Sequence, residues 1–90
     1  MRTVVRRQFR LRIDGAAATR FVSVRAFLQE DSLGQRVRID GRLLTSTPQL
    51  IGGATPRGVA VAHTLEIEVP ASEPAGLVNH NIIWLAEDAR

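Results

Sequence analysis

The chain has no cysteine, no lysine and no tyrosine, and only one tryptophan. Without cysteine there is no disulfide framework, no thiolate metal site and no Cys nucleophile. No apolar run approaches the ~18 residues that a spanning helix needs, so no membrane contact is expected. The first residues, MRTVVRRQFRLRID, are charged throughout and lack the apolar stretch of a secretory signal, which points to the cytoplasm. With three Phe and one Trp, aromatics are too few both to fill a core and to stack on nucleic-acid bases. What remains is 90 residues with 44% hydrophobic and 23% charged content. That composition fits one globular domain spanning 1–90.

Positive charge is plentiful, but all of it is arginine. The net charge of +3 hides a split between the halves. Residues 1–45 hold ten Arg and four acids, a balance of +6, whereas residues 46–90 hold two Arg and five acids, a balance of −3. Such a split fits a basic surface for nucleic acid, or basic and acidic strands that pair within the fold or across a subunit interface. Pairing is the better reading, because the Arg residues alternate with apolar ones as on the wet face of a strand.

That alternation is clearest at the start. Val5, Phe9, Leu11 and Ile13 share one face, with Arg6, Gln8, Arg10, Arg12 and Asp14 on the other; the period of two predicts a half-buried strand. Arg7 breaks the pattern and predicts either the rim of the core or a bulge. Residues 20–29, RFVSVRAFLQ, favour a strand through their β-branched and aromatic content. A helix near 18–31 is the alternative, and would make the domain α+β. Turns are expected at Asp31–Gly34 and over Pro70–Gly76. Asp40-Gly41, between Arg36–Ile39 and Arg42–Thr45, is a strong hairpin signal because both residues tolerate positive φ. Residues 46–58 hold two Pro and three Gly and read as a long mobile loop. Val59–Val69 alternates throughout, Val78–Ala86 reads as the last strand, and 87–90 as a polar tail.

Keeping apolar residues opposite one another predicts a hairpin between the last two strands, with Val69 by Val78, Ile67 by His80, Leu65 by Ile82 and His63 by Trp84. The expected fold is mainly β, a small antiparallel barrel or sandwich of five to six strands with at most one short helix. The expected core is Val5, Phe9, Leu11, Ile13, Val22, Val24, Val37, Ile39, Leu65, Ile67, Ile82 and Trp84.

Three groups of residues are candidates for chemistry. His63, His80 and Trp84 could form a polar pocket. The predicted register, however, separates the histidines by on the order of 13 Å, too far for one metal, and neither has a third ligand nearby. Glu66 and Glu68, with Asn79 and Asn81, make a polar face better suited to cross-strand pairing with Arg6, Arg10 and Arg12 than to enclosing a cation. Arg38, Arg42 and Arg57 extend the basic surface. The loop Gly53–Gly58 has the four-residue gap of a phosphate loop, but Val59 and Ala60 stand where Lys and Ser/Thr are needed. No nucleophile elbow is present, so no catalytic residue, metal or cofactor is expected.

The function expected is therefore that of a small non-catalytic interaction or assembly module. It would self-associate through complementary Arg-rich and acidic strand faces. An anion-binding β-barrel for nucleic acid or a nucleotide is the first alternative. A small enzyme or metal-binding protein using the two histidines is the second.

Overall fold

The computed structural model describes residues 2–15, 19–29, 34–71 and 77–89. The expected turn residues 31–33 and 72–76, and Arg90, lie outside them. Among the described residues there are eight strand segments and no helix. These are β1 (Thr3–Leu11), β2 (Phe21–Leu28), β3 (Arg36–Ile39), β4 (Arg42–Leu43), β5 (Gln49–Leu50), β6 (Thr55–Pro56), β7 (Val61–Val69) and β8 (Ile82–Asp88). They form two antiparallel sheets that do not close into a barrel. The first has the order β1-β7-β3-β4; in the second, β2 lies between β8 on one side and β5 and β6 on the other.

The strand reading of 20–29 holds. Val22, Val24, Ala26 and Leu28 are all buried on one face of β2, and a period of two places them there only in extended backbone. The Asp40-Gly41 turn also forms, with φ of 50° and 81°, the double positive φ that a two-residue hairpin requires. Arg7 needs no bulge. The ladder between β1 and β7 runs unbroken from Thr3↔Val69 to Leu11↔Val61, and Arg7 lies opposite Leu65 on an exposed edge.

The predicted hairpin between the last two strands does not form. Both edges of β7 are taken, by β1 and by β3, and β8 pairs with β2 in the other sheet. The observed arrangement keeps apolar opposite apolar (Ile67 between Val5 and Val37) and also sets acids opposite arginines. Glu66 lies between Arg6 and Arg38, and Glu68 lies opposite Arg36. The hairpin would have offered those carboxylates only Asn79 and Asn81. The strand bounds shift as well: β7 begins at Val61, and β8 takes in Glu87 and Asp88, which the pattern had placed in a tail. The 46–58 stretch is not wholly irregular, since β5 and β6 both lie along one edge of β2.

The core lies between the sheets. Val22, Val24, Val37, Ile39 and Ile51 are the largest fully enclosed side chains. Burial of each contributes roughly 1.5–3 kcal/mol. Phe9, Leu65, Ile67, Ile82 and Trp84 pack half-buried against the part of this core formed by Ala26, Leu28, Val37, Ile39, Leu44 and Ile51. Val5, Leu11 and Ile13, expected in the core, are also only half-buried: β1 is an edge strand, and Ile13 lies beyond its end. Leu44 and Ile51 are core residues that the alternation did not reveal, since they belong to the chain crossing between the sheets.

The two flanks of the sandwich differ. On one, the chain passes from β4 to β5, Leu44 and Ile51 fill the gap, and the Leu28 amide donates to the Thr45 carbonyl at 2.7 Å. On the other lie β1 and β8, which face each other through the Phe9 and Trp84 rings, 5.9 Å apart and edge-on. Among the described residues neither strand has a partner on its outer side. The radius of gyration, 14.6 Å, exceeds the roughly 12 Å of a compact domain of this length.

Candidate functional site

The outer face of the first sheet carries the charges singled out in the sequence. Arg6 reaches Glu66 at 3.6 Å, Arg2 reaches Glu68 at 2.6 Å, and Arg38 reaches the other Glu68 oxygen at 3.1 Å. The Arg38 hydrogen bond, with the Arg2 hydrogen bond and the charges of Arg2 and Arg36, outweighs the cost of desolvation and holds the Glu68 carboxyl below its ordinary range. The acidic and basic strands therefore pair inside one chain. Arg12 pairs locally with Asp14 at 2.8 Å. Arg57 bonds to Asp88 and donates to the Thr19 carbonyl at 3.2 Å, tying the loop to the end of β8. Arg42 sits exposed on β4. Arg7 and Arg10 of β1 and Glu87 of β8 have no ion partner among the described residues.

His63 and Trp84 do meet, across the sandwich rather than across a hairpin, with ring centroids 6.4 Å apart. Phe9 lies against His63 at 5.6 Å. The partner that fixes the imidazole is Asp40, whose Oδ2 is 2.6 Å from Nδ1. Asp40 Oδ1 also accepts the Thr64 amide at 2.8 Å, and the Asp40 amide donates to the Thr64 carbonyl at 2.9 Å. Partial burial alone would raise the Asp40 pKa, but the His63 and Thr64 hydrogen bonds and the His63 charge together lower it. The carboxylate thus keeps the hairpin turn docked on β7. Sequence reading took Asp40 only as a turn residue. The signal it left was an Asp at a position where Asn would serve the backbone equally well.

His80 is elsewhere. Its Nε2 lies 3.0 Å from Oε1 of the buried Gln35, and burial lowers its pKa. Gln35 precedes Arg36, which is opposite Glu68, five residues along β7 from His63. At about 3.3 Å per residue the two histidines are on the order of 16 Å apart, so they share no site. Among the described residues no cluster of His, Asp and Glu could hold a metal ion, and no helix is long and apolar enough to cross a membrane. Asn81 is bonded to Gln29 at 2.9 Å, not set against Glu66.

Arg20, Arg25, Arg36 and Arg42 likewise make no ion pair among the described residues, but none of them lies on an edge of the open flank. Arg7, Arg10 and Glu87 lie on the two edge strands of that flank. β1, TVVRRQFRL, carries three arginines and no acid; β8, IIWLAED, carries two acids and no cation. Comparison with known protein families, with curated proteins and with solved structures finds no match to this chain.

Proposed function

We propose that the protein is a small non-catalytic assembly module of the cytoplasm that self-associates. The observation that carries this reading is the open flank: two long strand edges of opposite charge face each other, and among the described residues each presents a row of backbone donors and acceptors with no strand partner. Such edges invite pairing with another chain, and monomeric proteins blunt them. Arg7, on the inward face in the middle of β1, is one such blunting device against a second β1. On β8 the inward charge is Asp88, at the strand's last residue opposite Val22, and the middle of the strand carries none. Glu66 and Glu68 of the acidic face are paired with Arg2, Arg6 and Arg38 within the chain, which favours a contact at the edges over one between the faces.

The test is the mass in solution by light scattering over a range of concentration and salt. A discrete oligomer that loosens as salt screens its charges is expected. A species of 9.9 kDa at every concentration and salt level would contradict the proposal.

A further inference from the structure

Resting on that self-association, we infer its geometry: two copies join so that β1 of each continues the sheet that ends in β8 of the other. Direction comes first. β1 and β3 run the same way, since both are antiparallel to β7. β8 starts at the same end as β3, because His80 just before β8 bonds to Gln35 just before β3. β8 finishes near the end of β1, where Arg57 bonds to Asp88 and the Gly58 amide donates to the Ile13 carbonyl. The two edges of the open flank thus run in the same direction, one above the other.

A two-fold axis lying along that flank, parallel to the strands, carries the first sheet of one copy into the plane of the second sheet of its partner. It creates both edge pairings at once, and no edge of the flank is left over. Such an interface is isologous and closes at two chains. The other symmetric choice, an axis perpendicular to the sheets, sets β1 against β1 and brings six arginines together with no acid between them. Charge decides between the two.

The faces also agree. Arg6, Gln8 and Arg10 lie on the outer face of the first sheet, and Ile83, Leu85 and Glu87 on the outer face of the second. The axis along the strands makes these one continuous surface. The contact between Phe9 and Trp84 sets the level, placing Gln8 beside the partner's Ile83 and Arg10 beside its Leu85, with Glu87 on the next outward position. Arg10 and Glu87, unpaired within one chain, become diagonal neighbours across the interface.

Because the chain has no cysteine, introduced pairs report without background. The double variant Gln8→Cys with Ile83→Cys cannot bridge within one chain, since the two positions lie on the outer faces of opposite sheets stacked about 10 Å apart. Under a mild oxidant it is expected to give a covalent species that stops at two chains, while each single variant stays uncrosslinked. Arg10→Cys with Leu85→Cys repeats the test at exposed positions if Ile83→Cys impairs folding. Separately, Arg10→Glu or Glu87→Arg should each weaken the dimer at least tenfold, and the two together should restore it. Cross-linking of Gln8→Cys alone, or an oligomer in which neither double variant cross-links, overturns this pairing and leaves self-association standing. A monomeric wild-type chain overturns both.

Discussion

The two flanks of the sandwich are built from the same kind of strand, yet they end differently. On the β4–β5 flank the chain itself crosses from sheet to sheet, and Leu44 and Ile51 are buried beneath it. On the β1–β8 flank no segment crosses among the described residues, and Val5, Leu11 and Trp84 remain half-buried. A flank closed by its own chain needs apolar volume; an open one needs a partner. Charge follows the same division. Glu66 and Glu68, inside the first sheet, are neutralised by Arg2, Arg6 and Arg38, while Arg7, Arg10 and Glu87 wait at the open edges.

The contrast sets an order of effects. Ile51→Ala, at the closed flank, should destabilise the fold by about 2–5 kcal/mol in denaturant melts, the usual cost of truncating an enclosed aliphatic side chain. Arg10→Glu, at the open flank, should leave the monomer's stability within about 0.5 kcal/mol of wild type and act on assembly alone. A large stability loss from Arg10→Glu would erase the distinction between the flanks. Asp40→Asn keeps the turn residue but removes the carboxylate facing His63. It should cost about 1 kcal/mol and speed amide exchange at Thr64.

Acid sharpens the comparison further. Asp40 and Glu68 both have folded pKa values below their ordinary 3.8 and 4.5. Above those ordinary values their contribution to stability is fully present. As pH falls, the unfolded chain binds protons first, so stability drains away until the lowered folded values are passed. His80, held neutral by burial, acts with the same sign from its ordinary 6.5 downward. Stability should therefore decline in two stages on acidification. Glu68→Gln should flatten the lower stage and His80→Gln the upper. A single melt midpoint unchanged from neutral pH to pH 4 would contradict these assignments.

How much of this the sequence disclosed depends on whether the cause was local. The strands at 3–11, 21–28 and 61–69 and the turn at Asp40-Gly41 announce themselves by period and by turn chemistry, which are properties of a few neighbouring residues. Which strand pairs with which does not. The Val69–Val78 hairpin satisfied the apolar pattern as well as the true arrangement does. What the true arrangement adds is arginine around Glu66 and Glu68, supplied by residues about 28 to 66 positions away and so invisible to local pattern. The pairing of Arg6 with Glu66 was legible from that same charge logic. Asp40 against His63 was not, because the turn it occupies accounted for it already. Leu44 and Ile51 were hidden because a chain crossing between sheets has no period to read.

Hydrogen exchange as a function of protein concentration tests the open flank most directly. If β1 and β8 pair across a dimer, the outward-pointing amides of Thr3–Leu11 and Ile82–Asp88 should be protected at high concentration and lose that protection on dilution, while those bonded to β7 and β2 stay protected throughout. Edge amides that exchange equally fast at every concentration would show that the flank stays open, and the account would fail.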